Sequence, residues 1–324
     1  MSMRTPLDAM MHLIRWASGA PMAHTLPISD LEPDPGALGP TSLTWRLHEE
    51  QWLIAAAARA FLMQAAHPKV AQGAVDHSRY ARDPFGRVFG TVKAMQVLMF
   101  GTTNEANAMA RYINRMHYRT RGVLPESIGR YQAGETYSAM EPSVLLWVHM
   151  VAVDSWLTSY KLFVGPLSGA ECEQYWQESW CYARLFGLTK ATFPTSYVAV
   201  QHYLHEALAS GEVAVGRSAH LVAQMIFSPP MPALRKPWWK LVGLITVGQL
   251  PADIRQAYGL HWTLMHRIGF RLACNMVHLL RHLFPDTFTK SSLVNFARCR
   301  SQGMLSHTVQ TCRLNQYNDL AQIG

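Results

Sequence analysis

The stretch TTNEANAMARYINRMHYRTRG, residues 102–122, carries a complete helix signature from end to end. Thr102 and Glu105 form a capping-box pattern at its start, and Gly122 marks its close. In between, Ala106, Ala110, Ile113 and His117 recur at offsets of 4, 7 and 11 residues and make one stripe. Arg111, Arg115 and Arg119 make the opposite stripe, so the spacing points His117 inward.

Outward from that helix the same period dominates. Ala, Leu and Met fill the long segments, apolar and polar residues do not alternate strictly, and the reading is all-α, a single large helical domain. Helices are predicted from Trp45 to Ala66, stopped by Pro68, and from Pro84 to Phe100, with a loop between them. Others are predicted over Pro142–Phe163, Ala170–Phe186, Tyr197–Ala209, Ala219–Phe227, Trp238–Val247 and Trp262–Leu283. Residues 1–44, rich in Pro and Gly from residue 20, read as an extended arm leading into a domain over residues 45–324.

Composition narrows the function. The chain has 324 residues, 49% of them hydrophobic and only 15% charged, so it can bury a large core and suits apolar ligands. Its net charge of +8 comes without basic runs or basic–aromatic alternation, which argues against nucleic acid. Five cysteines without CxxC spacing argue against a disulfide framework or a zinc ribbon. No hydrophobic signal core opens the sequence, and a cytoplasmic location is expected. The segment Leu234–Leu250, where Arg235, Lys236, Trp238, Trp239 and Lys240 precede an apolar run, suits either peripheral membrane contact or a core helix entered through Pro237.

Fifteen histidines invite a search for a site. His202/His205 and His278/His282 have helical spacing, but neither pair brings the glutamate of a zinc-protease motif, and ordinary polar histidines account for them. On spacing alone a hydrogen-bonded core histidine accounts for His117 as well. Its neighbours favour more: Ala106, Ala110 and Ile113 form the thin apolar wall that a flat ligand needs. Asp154, His149 or a backbone carbonyl offers an acceptor for the second ring nitrogen. Arg87 and Thr91, one turn apart, suit a carboxylate and a polar network, while standing alone they read as a surface arginine and a hydroxyl bonded back to its helix.

These residues occur within a longer succession: Trp45-Arg46, Ala66-His67-Pro68-Lys69-Val70-Ala71, Asp76-His77-Ser78, Asp83-Pro84-x-x-Arg87-x-x-x-Thr91, Phe100-Gly101, His117 to Gly122, Leu145 to His149 with Val153-Asp154-Ser155, and Leu260-x-Trp262. That order and spacing, from about residue 42 to about residue 262, resembles the MpaB/rubber oxygenase catalytic-domain family, which includes latex-clearing protein. The resemblance implies an all-helical fold with a globin-like core, haem b, and dioxygen chemistry on a small hydrophobic substrate, isoprenoid or lipid-like, including oxidative cleavage of a carbon–carbon double bond. It maps the proximal iron ligand onto His117, a propionate partner onto Arg87 and a distal polar residue onto Thr91. Gly90 stands where the latex-clearing branch has a lysine, leaving His67, His77 or water for the distal side. A haem-binding sensor or carrier, a metal-free lipid-binding protein and a non-haem site on His67, His77, His117 and His149 use the same features.

Overall fold

Two central helices set the frame. In the computed structural model, which describes residues 34–77, 84–284, 290 and 292–301, these are α2 (Ala55–Ala65) and α6 (Pro142–Phe163). Around them lie α1 (Leu43–His48), α3 (Pro68–His77), α4 (Pro84–Phe100), α5 (Thr103–Arg119), α7 (Gly169–Ala183), α8 (Tyr197–Ala209) and α9 (Arg217–Phe227). The chain continues through α10 (Lys236–Gln249), α11 (Ala252–Ala257), α12 (Leu264–Leu283) and α13 (Ser292–Ser301). A small antiparallel sheet, β1 (Arg121–Val123) and β2 (Thr136–Ser138), pairs Gly122 with Tyr137. The fold is all-α apart from this ribbon. The arm before residue 34, Ser78, Asp83 and Cys312 lie outside the described residues.

Helix α6 is buried on two sides because its sequence is apolar nearly all round. Trp147 and Val151 join Leu62, Met63 and Ile226 on one side. Met150, Val153 and Leu157 join Leu47, Tyr175 and Trp176 on the other. Pro142 sits in its first turn, where its missing N–H leaves no bond unmade.

Three expectations need correction. The helix foreseen from Trp45 to Ala66 is interrupted at Glu49–Glu50, where the chain passes through a short tight turn at Gln51–Ile54. Long-range ion pairs accompany the break: buried Glu49 meets Lys290 and Arg298, and buried Glu50 meets Arg281. Second, Pro68 ends one helix but also starts the next, so the foreseen loop contains α3. Third, Gly122 is no helix cap. The helix ends at Thr120, and Gly122 lies in β1 under the Tyr137 ring, where an added Cβ would meet the phenol oxygen at 2.8 Å. That phenol donates to Asp76 Oδ2 at 2.6 Å.

Candidate functional site

The capping box of α5 forms as its sequence foretells, with Thr102 and Glu105 bonded reciprocally. This fixes the helix phase. Ala106 and Ala110 are buried against Leu98 of α4, Ile113 packs partly buried beside them, and Arg111, Arg115 and Arg119 are exposed. His117 follows on the inner stripe and is half-buried.

The imidazole of His117 faces the ring of Phe186, with centroids 6.3 Å apart. Its Nδ1 is buried and has no hydrogen-bond partner. Burial, reinforced by the nearby Arg87 cation, pushes its pKa from 6.5 down to about 4, so the ring is neutral at physiological pH. Buried polar atoms are normally satisfied, and an orphaned ring nitrogen on a neutral histidine is the exception that calls for a ligand or a function. One turn earlier, Asn114 donates to the Leu185 carbonyl at 2.7 Å while its own Oδ1 is also buried without a partner.

Helix α4 supplies the second half. Arg87 donates through Nη1 to Thr91 Oγ1, and the Thr91 hydroxyl turns back to the Arg87 carbonyl at 3.2 Å. The guanidinium lies 5.8 Å from the ring centroid of Phe61 on α2. Although α4 is strongly apolar, full burial among its described side chains is confined to Leu98, Met99 and Phe100 at its end. Val88, Thr91, Val92 and Met95 are only half-buried, which leaves an apolar helix incompletely covered beside Arg87. At Gly90 an added Cβ would meet nothing within 4 Å.

The structure thus bonds Arg87 to Thr91, sets their helix against that of His117 with the Arg87 cation near enough to lower the imidazole's pKa, and places the other foreseen residues elsewhere. His149 bonds through Nε2 to Ser179 Oγ at 2.9 Å inside a cage of Trp176, Tyr182 and Phe193. Ser179 spends its proton on the Trp176 carbonyl at 2.6 Å, so His149 is the donor, a neutral ring whose pKa burial lowers to about 3. Asp154 accepts from Arg59 at 2.6 Å and from the Tyr197 hydroxyl at 2.8 Å. Neither supplies the acceptor anticipated for the second nitrogen of His117. His67 is tied to Tyr131 and to the Lys69 amide, and His77 to the Arg121 carbonyl. The four histidines therefore do not converge, and among the described residues no group of three or more His, Cys, Asp or Glu is placed to hold a metal ion by itself.

Sequence reasoning missed Phe61, Asn114 and Phe186. Asn114 had a legible signal, lying four residues after Ala110 and three before His117 on the same stripe. The two phenylalanines are brought in by other helices and had none.

Chemically, the arrangement offers a neutral nitrogen donor in an apolar wall, a nearby cation suited to a carboxylate, and a hydroxyl that steadies that cation. Two mycobacterial relatives, uncharacterized protein Mb2261 of Mycobacterium bovis and uncharacterized protein Rv2237 of Mycobacterium tuberculosis, are each 22% identical over 231 residues, covering 69% of this chain and 87% of theirs. No solved structure matches. Residues 45–279, which include both halves of the site, match the family described as ER-bound oxygenase mpaB/B'/rubber oxygenase, catalytic domain, and the chain belongs to that family of oxygenases.

Proposed function

We propose that the protein is a haem b-dependent oxygenase acting on a small hydrophobic molecule, isoprenoid or lipid-like, with dioxygen as co-substrate. The observation that carries this reading is the half-buried, neutral imidazole of His117, its Nδ1 buried and unpartnered, beside the incompletely covered apolar helix α4. The donor set fits a porphyrin: a single imidazole for the iron, thin residues Ala106 and Ala110 behind it, and Arg87 as a cation for a propionate. In this role His117 holds the iron, Arg87 binds a propionate, and Thr91 fixes the guanidinium and contributes a hydroxyl to the polar network. When bound, haem supplies dioxygen activation for cleavage of a carbon–carbon double bond or a related oxidation. The apolar side chains of α4 exclude water and orient an apolar substrate.

The test is a pyridine-haemochrome spectrum of protein produced with haem supply, for wild type, His117→Ala and His149→Ala. Wild type and His149→Ala retain haem, and His117→Ala loses it. Loss with His149→Ala and retention with His117→Ala would overturn the assignment. Oxygen uptake by the ferrous protein with farnesyl and squalene-type compounds separates turnover from mere haem carriage.

A further inference from the structure

A concavity lies away from the α4–α5 pair. It occupies about 360 Å³ between the end of α6, the end of α10, α11 and α12. Trp262 and Phe270 wall it, and Arg255, Arg267 and Arg271 line it. Helices α10 and α12 approach closely because Gly248 lies under the Phe270 ring, where an added Cβ would come within 2.3 Å. Arg255 donates to the Leu250 carbonyl and stacks 5.2 Å from the Trp262 ring centroid. Among the described residues no carboxylate forms an ion pair with any of the three arginines. Both burial and the Arg267 cation push the Arg255 pKa below its ordinary value. Three uncompensated cations facing one cleft make an anion site.

Its surroundings say which kind of anion. Helix α12 has no fully buried residue, and its sequence is strongly amphipathic. Met265 is 74% exposed, Leu272 is 64% exposed, and Ile268 and Met276 lie on the same outward stripe. Ile268 and Leu272 directly follow Arg267 and Arg271, so the apolar ridge adjoins the rim of the arginine cleft. Leu234 and Trp238, at and before the start of α10, are also exposed, beside Arg235, Lys236 and Lys240. The charge is unevenly spread. Residues 234–276 hold Arg235, Lys236, Lys240, Arg255, Arg267 and Arg271 against the single carboxylate of Asp253. Exposed Leu, Met and Trp amid cations nearly free of carboxylates is the composition of a surface that rests on negatively charged lipid.

We propose that the Arg255–Arg267–Arg271 cleft receives the phosphate headgroup of an anionic lipid while the adjoining ridge of α12 sinks into the acyl boundary, docking the protein peripherally on acidic membranes. Among the described residues no helix is long and apolar enough to cross a membrane, so the contact is a surface one. It is independent of which cofactor the other site holds.

Co-sedimentation of the full chain with phosphatidylcholine vesicles, and with vesicles of phosphatidylcholine mixed with phosphatidylglycerol, tests this. Binding is expected to the mixed vesicles, far less to the neutral ones, and to fall as salt is raised. Arg267→Gln with Arg271→Gln lowers partitioning about 25-fold, at about fivefold per charge. Ile268→Asn with Leu272→Asn weakens it as well. All four residues are exposed, and an unchanged helical circular-dichroism spectrum verifies that the variants fold. Equal binding to both vesicle types, or wild-type binding by the arginine variant, overturns the proposal. So does absence of vesicle binding while inorganic phosphate raises the melting temperature of wild type but not of the arginine variant, which would make the cleft a site for soluble anions. If the ridge variant binds vesicles normally but turns a dimer into a monomer, the ridge is covered by a second copy and the proposal also fails.

Discussion

His149 and His117 are both inward-pointing histidines on helices, yet they live in opposite circumstances. His149 donates to Ser179 within an aromatic cage, and every polar contact it needs is at hand. His117 has a buried nitrogen with no partner and a cation nearby. The first is the pattern of a residue that holds the fold together, and the second that of a residue kept at some expense of stability for a ligand. Asp154 sides with His149, because its oxygens are taken by Arg59 and Tyr197.

This contrast can be broken by measurement. The largest effect is expected at Asp154, where Asp154→Ala strands the nearly buried Arg59 and lowers unfolding free energy by about 3–5 kcal/mol in denaturant titration, with haem stoichiometry of the remaining folded protein unchanged. Next comes His149→Ala, which removes a packed ring and the donor to Ser179 Oγ, for a loss of about 2–4 kcal/mol. A loss of haem without loss of stability there would reverse the roles. By contrast, His117→Leu removes an unsatisfied polar atom and leaves the haem-free protein as stable as wild type or up to about 1 kcal/mol more so. A large destabilisation would make His117 a structural residue. The smallest effect is expected for Thr91→Val, which removes one of the contacts that hold the Arg87 side chain and weakens haem affinity roughly three- to tenfold by titration.

Acid sharpens the comparison further. His48, His67, His117 and His149 have folded-state pKa values of about 3, about 4, about 4 and about 3, all depressed by burial from 6.5. The unfolded chain therefore binds more protons below pH 6.5. Stability is full above that value and declines progressively as pH falls from 6.5 toward about 4 and about 3. At pH 5.5 His117 is still neutral in the folded protein, so haem titrated into it there binds as well as at pH 7. A solvent-exposed histidine ligand would lose affinity through pH 6.5.

Much of this was legible in the sequence because it is local. The bounds of α6 and α8 follow from Pro142, from the apolar run after it and from Ser196 ahead of Tyr197, and the phase of α5 follows from its capping box. The stripe then put His117 inward without help from any other helix. Illegible features are those decided at a distance. His149 and Asp154 look as functional as His117 until partners 30 and 95 residues away are seen to satisfy them. The break at Glu49–Glu50 likewise accompanies cations more than 200 residues downstream. Pro68 misled for another reason: the same ring that disfavours a helix before it is well suited to begin one.

The buried carboxylates of Glu49 and Glu50 show that the folded unit reaches past the span matched by the family. Their cations sit on Arg281, Lys290 and Arg298, and the fully buried Arg300 clasps the carbonyls of Asp34 and Phe100. All four basic residues lie past residue 279, where the match to the family stops. An expression clone trimmed to that homologous span would abandon two acidic groups in the interior without counterions, so the boundary for producing this protein should be set by its electrostatic stitching and placed beyond Ser301.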